Sequence, residues 1–249
     1  MTKTTNPNPT AAGILAEPLT LNEARRIAGG SLKGGKNEGR GLYNDALSST
    51  SKMPCKSYDL PAEACGIGSR LRKVAGSTCS GCYALKGSYG WKSTKAALAR
   101  HLEAIEDPRW ADALVVLWQN EARLGRKEGR WHSSGDLQSV EHLAKIVEVC
   151  ERCPEITFWA PTRERKIIRD FEEAGGEIPP NLILRRSMPM QGMTPPAAGV
   201  ADGLLYSTTH TDAVPNGAVN CPAVGRKTGC EDCRNCWNRE LPTISYRMH

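Results

Sequence analysis

From residue 129 onward, short runs of β-branched and aromatic residues alternate with stretches whose apolar positions recur every three to four residues. Arg130–Ser134, Ile156–Ala160, Asn181–Arg186 and Gly203–Ser207 read as strands. Between them, Val140, Leu143, Ile146 and Val147 mark one face of a helix that Asp136 is placed to cap, and a second helix is expected over 163–174, ending at Gly175-Gly176. Strand–helix–strand repetition implies a parallel sheet with right-handed crossovers. The expected fold is therefore α/β, a partial or complete (β/α) barrel-like parallel sheet.

Upstream, the pattern is helical. Ser93 is placed to cap a helix carrying Leu98, Leu102 and Ile105, and Asp107-Pro108 opens another with Trp110, Leu114, Leu117 and Trp118 on one side, stopping at Gly125. Thr20-Leu21-Asn22-Glu23 has the form of a capping box for a short helix ending near Gly29. Arg70–Ala75 reads as a short strand. Residues 1–51 are expected to be mostly disordered or extended, and residues 52–249 to form a single metal-binding α/β domain. Within the first segment, Gly34-Gly35-Lys36-Asn37 lacks the Lys-Ser/Thr pair of a phosphate loop and reads as linker.

The cysteines change this picture most. Cys221, Cys230, Cys233 and Cys236 follow C-x8-C-x2-C-x2-C, a spacing that lets thiolates converge on one metal centre. The repeated x2 step favours an iron–sulfur cluster over zinc, which usually joins two separated C-x2-C knuckles. Cys55, Cys65, Cys79 and Cys82 make a second candidate set near the other end, with irregular spacing. The 249-residue chain has no apolar N-terminal leader and no run of eighteen apolar residues, so no membrane partner and a reducing cytoplasm are expected. There, ten cysteines point to metal or redox chemistry and away from disulfides.

In a parallel sheet the loops after the strands carry the site. Those positions hold His132, Ser134 and Asp136, then Thr162 and Arg163, then Arg185, and later His210. Asp136 and His132 suit proton transfer, while Arg163 and Arg185 suit a small anionic substrate or redox partner. Ser134, Thr162 and His210 are candidate cofactor contacts. A net charge of +6 also permits nucleic acid, though no predicted helix concentrates it.

Met53-Pro54-Cys55, the run from Gly76 to Gly87, Arg130 to Asp136, Trp159 to Arg163, Cys230 to Trp237 and the ending Tyr246 to His249 resemble the phage family called gene product 88, over roughly residues 52–249. The resemblance implies a tailed-phage origin, with the cytoplasm of the infected bacterial host as the place of action, and fixes no activity. A βα repeat with a cysteine-rich turn before Tyr83 is also distantly similar to radical-SAM proteins. The chain departs from their C-x3-C-x2-C motif, because thirteen residues separate Cys65 from Cys79. The expectation is an iron–sulfur protein with one or two 4Fe-4S clusters, redox-active, with S-adenosylmethionine as a doubtful further ligand. The alternative is a zinc-stabilised protein that binds nucleic acid or a virion or host component without catalysis.

Overall fold

The computed structural model describes residues 18–33 and 41–248. Residues 1–17 of the expected disordered segment and the Gly34–Asn37 loop lie outside them. Helix α1 (Leu21–Ile27) starts at the expected capping box: Thr20 Oγ1 accepts from the Glu23 amide, and Glu23 accepts from the Thr20 amide at 2.8 Å. Its Ala24 and Ile27 are buried in the main core, so this part of the N-terminal segment is folded onto the domain.

Strands β1 (Ser48–Ser49) and β2 (Lys56–Tyr58) follow, then helix α2 (Gly66–Leu71). The strand expected over Arg70–Ala75 does not form. Arg70 lies in the last turn of α2, whose Ile67 amide donates to Glu164 Oε1 at 2.6 Å, and Lys73 and Val74 make a turn behind it. Helix α3 (Lys92–Ala104) is entered through Trp91 instead of Ser93, and α4 (Trp110–Arg123) begins two residues after Pro108.

The repeating part then runs β3 (Glu128–Trp131), α5 (Val140–Glu151), β4 (Thr157–Thr162), α6 (Arg165–Glu173), β5 (Leu182–Ser187), α7 (Ala197–Ala201) and β6 (Leu205–His210). Two strands beyond those the periodicity predicts, β7 (Val219–Asn220) and β8 (Thr243–Arg247), complete the sheet. Helix α5 is capped by Ser139, which accepts from the His142 amide at 3.1 Å. Asp136 does not cap it, because its carboxylate is engaged elsewhere.

The sheet order is β1-β2-β3-β4-β5-β6-β8-β7, and every pairing is parallel except β1 with β2. The sheet is open. Two-residue strands form its edges, and β1 and β7 do not pair with each other, so the complete barrel is not realised. Alternation along the strands separates two faces. Trp131, Phe158, Ala160, Leu182 and Leu184 join α4, α5 and α6 in one core. On the other face, Trp159 and Ile244 pack with Cys55, Cys236 and Trp237 in a second, smaller cluster. Among the described residues, no helix is long and apolar enough to cross a membrane.

Candidate metal and ligand site at the strand ends

A cavity of about 860 Å³ opens on the C-terminal edge of the sheet. Its wall includes His132, Ser134 and Asp136 after β3, Arg163 after β4, and Ser187, Ser207 and Thr209 at the ends of β5 and β6. The turn after β3 is set by His132, which holds φ at 64°, a left-handed conformation that costs a residue with a Cβ.

Asp136 is buried beside the cavity. Its Oδ1 accepts from Thr162 Oγ1 at 2.5 Å and from the Leu137 amide at 2.8 Å, and its Oδ2 accepts from the Arg163 amide at 3.0 Å. Burial pushes its pKa up to about 6 against the pull of these donors. Arg163 leaves its Nε without a protein partner in the cavity wall. His132 and His142 lie with ring centroids 5.4 Å apart, and the Nε2 of each has no partner. Burial holds both imidazoles below their usual range, His142 at about 3.

The other expected residues have local work. All the Arg185 side-chain nitrogens point at backbone carbonyls: Cys236, Leu241, Asn235 and Asn238 in the C-terminal loop, and Tyr206. Arg185 is fully buried and braces the cysteine loop. His210 Nδ1 meets Ser245 Oγ at 2.7 Å, and neither His210 nor Thr162 lines the cavity. Ser134 does, with its hydroxyl donated to Leu60 O at 2.8 Å.

The cysteines divide differently from the sequence grouping. None of the ten is in a disulfide. Cys55 leaves the N-terminal set and packs with Cys221 and Cys236, within electrostatic reach of Cys230. Cys230 in turn senses Cys221 and Cys233. Five thiols, Cys55, Cys221, Cys230, Cys233 and Cys236, therefore form one group. Cys65, Cys79 and Cys82 form the other, mutually coupled and influenced by Arg163 and Asp136. Burial raises the Cys55, Cys65 and Cys236 thiols to about 12. Cys150 and Cys153 are buried beneath the helices in the main core, away from both groups. Among the described residues, no three His, Cys, Asp or Glu side chains are drawn together tightly enough to hold a metal ion.

Sequence reasoning missed the residues between the two thiol groups. The Arg130 guanidinium lies 4.3 Å over the Trp159 ring, its Nη2 is 3.5 Å from Tyr83 Oη, and its Nε has no partner. Trp159 packs edge-on against Trp237 and stacks with Tyr246, whose hydroxyl is 3.3 Å from Cys236 Sγ. Strand alternation would have placed Arg130 and Trp159 on the face opposite Trp131 and Phe158, and that was the available signal.

The molecule is thus an α/β protein with an open, mainly parallel sheet and a thiol-lined cavity at its strand ends. The family model described as Gene product 88 matches residues 30–239, and the chain belongs to that family. No curated protein and no solved structure gives a significant match, so the likeness to radical-SAM proteins gains no support from either comparison.

Proposed function

We propose that the protein binds an iron–sulfur cluster on the five-thiol group and is redox-active toward a small anionic ligand held in the cavity. One observation carries this reading. Five thiols from both ends of the chain form one group, and three of them, Cys55, Cys230 and Cys236, lie within electrostatic reach of the Arg130 guanidinium, which forms no salt bridge with any carboxylate of the described residues. Arg130 is half-buried, and Asp59 reaches it electrostatically without pairing with it, so a close anion is still wanting and neutral thiols do not supply one. Thiolates bound to a metal cluster do.

The donor set fits such a group. Cys230, Cys233 and Cys236 with Cys221 or Cys55 give four thiolates, the usual complement of a 4Fe-4S cluster. A single zinc ion would draw its sulfurs to about 2.3 Å from one point. The repeated x2 step of Cys230, Cys233 and Cys236 recurs in iron–sulfur proteins, whereas zinc sites usually join two separated C-x2-C pairs. The indoles of Trp159 and Trp237 exclude water from this side.

Cys65, Cys79 and Cys82 are the candidate ligands of a second cluster. With Cys55 engaged elsewhere, three protein thiolates there leave a position toward the cavity, beside Arg163 and Asp136. An anionic molecule at that position meets the free Nε of Arg163, while Asp136 is suited to hold or release a proton near neutral pH.

Purification without oxygen, followed by iron, sulfide and zinc analysis, tests the reading. A coloured protein with equal iron and acid-labile sulfide is expected. Cys230→Ala and Cys233→Ala should each lose the same cluster, so that combining them costs no more iron than either alone, whereas adding Cys79→Ala to Cys233→Ala should remove the iron of the second cluster as well. A colourless protein that holds only zinc, even after anaerobic reconstitution with iron and sulfide, rejects it in favour of the zinc-stabilised, non-catalytic alternative.

A further inference from the structure

The lip of the cavity between Cys82 and α3 carries a second kind of chemistry. Two 3-10 turns, Tyr83–Leu85 and Gly87–Gly90, pack on each other and lead into α3. They hold Tyr83 and Tyr89 edge to face with ring centroids 6.0 Å apart, and both rings border the cavity. Each phenol is pinned to the same wall residue. Tyr83 Oη donates to Ser133 O, and Tyr89 Oη meets Ser133 Oγ at 3.4 Å. The rings are therefore fixed at their polar ends while Tyr83 stays 53% exposed. Trp91, at the next turn, is 66% exposed, more than any other large hydrophobic residue of the described chain.

Charge on this lip has one sign. From Cys79 to Leu102 the chain carries Lys86, Lys92, Lys95 and Arg100 and no Asp or Glu. Lys95 makes a loose, exposed pair with Glu63 at 3.6 Å, whereas Lys86 and Lys92 are exposed and form no salt bridge with the described residues. Fixed aromatic faces interleaved with uncompensated lysines are the elements of a single-strand platform, where bases stack on rings and phosphates meet cations. The cavity behind, at about 860 Å³, has the size of a ligand pocket and admits an unstacked nucleoside.

We infer that Tyr83, Lys86, Tyr89, Trp91 and Lys92 form a docking surface for single-stranded nucleic acid, which presents a nucleotide to the cavity. A duplex fits less well, because its bases are already stacked and paired and so do not reach these rings. The phosphate of a docked nucleotide would also be the anion that the unpartnered Arg163 Nε awaits, so the surface names a substrate class for the proposed redox site. Binding at the lip itself requires no metal.

The test is fluorescence anisotropy with labelled, mixed-sequence single-stranded DNA and RNA of about a dozen nucleotides, on the full chain as purified. Binding is expected at ~50 mM salt and should weaken steeply by ~200 mM. Trp91→Ala should weaken it about tenfold, and a Lys86→Ala/Lys92→Ala double variant should flatten the salt dependence by about 0.7 per lysine removed. Both changes are on the surface and should leave the melting temperature unchanged. The docking surface is refuted by no binding at ~50 mM salt, by binding that neither variant alters, or by a duplex of equal length binding as tightly. Iron is measured on the same preparations, so a protein without a cluster that binds the strand fails only the cluster reading, and one with a cluster that ignores the strand fails only this one.

Discussion

The five-thiol group and the three-thiol group border one cavity, but different kinds of structure hold them. The C-terminal group is locked by long-range contacts. Arg185 fastens four carbonyls of its loop, Trp237 donates to Gly129 O at 2.8 Å, and Arg234 pairs with Glu128 at 2.8 Å. The N-terminal group rests on short turns tied to the sheet through Thr78, whose amide donates to Pro189 O at 2.9 Å and whose hydroxyl lies 3.1 Å from Thr209 Oγ1. Ser77 Oγ donates to Leu71 O at 2.6 Å and accepts from the Ser80 amide at 3.0 Å, and Glu164 receives the amide of Ile67. Exposure does not separate the groups: Cys65 and Cys82 are partly buried, as are Cys221, Cys230 and Cys233, and Cys221, Cys230 and Cys236 line the cavity as Cys65, Cys79 and Cys82 do. A group braced by a buried arginine suits storage or relay of electrons, and one that is open toward Arg163 and Asp136 suits contact with a ligand.

Arg185→Met should break this contrast most severely. It leaves several buried carbonyls without donors, each costing about 1–3 kcal/mol. We expect a loss of about 4 kcal/mol or more in urea denaturation. We also expect Cys55 and the four C-terminal thiols to become more reactive to a thiol reagent while Cys65, Cys79 and Cys82 keep their native rates. Equal exposure of all eight would mean that the two groups are not independently held.

The histidines beside the three-thiol wall give a smaller, pH-dependent effect. Burial lowers the folded pKa of His132 and His142 below that of the unfolded chain. The His142 contribution is fully present above about pH 6.5 and is lost as pH falls toward 3, at about 1.4 kcal/mol per pH unit, and His132 acts in the same direction. Asp136 acts in the opposite sense. Its folded pKa is raised to about 6, so its proton favours the fold, and its contribution grows as pH falls through 6 toward 4. His142→Phe should therefore flatten the acid limb of stability between pH 6 and 4 by about one histidine's slope. An unchanged slope in urea titrations would show that His142 is not held neutral.

The repeating half of this fold was legible because β3 to β6 and their helices carry unambiguous periods. The strand-end rim followed from it, since the parallel sheet places the residues after β3 and β4 on one edge. Cys55 was misplaced for a physical reason. It precedes β2, and the parallel pairing of β2 with β3 carries it toward the C-terminal loop, which sequence spacing does not encode. Arg185 looked like an anion grip because its position is right, but β8 and the cysteine loop, unseen in the sequence, supply the carbonyls that it meets. The two-residue edge strands were too short for any periodic signal.

The smallest expected effect concerns Gly68, and it separates the two groups most cleanly. A Cβ built there lies 2.9 Å from Cys65 Cβ, 3.6 Å from Cys65 Sγ and 3.7 Å from Cys79 Sγ. Those last two distances place both sulfurs around one point on the inner side of α2. Alanine gains about 1 kcal/mol in helix propensity over glycine. The 2.9 Å overlap with a neighbouring Cβ costs about 1–3 kcal/mol, because Cys65 sits at the N-cap, where backbone has to move. The two terms nearly cancel, so Gly68→Ala should change stability by about 1 kcal/mol or less. Its effect on geometry does not cancel: Cys65 is pushed off its position. Alkylation of Cys65 and Cys79, followed by mass spectrometry, should change several-fold, with Cys55 and the four C-terminal thiols unaffected. If all eight thiols react as in the wild type, α2 has room for the methyl group and does not set the spacing of the open group.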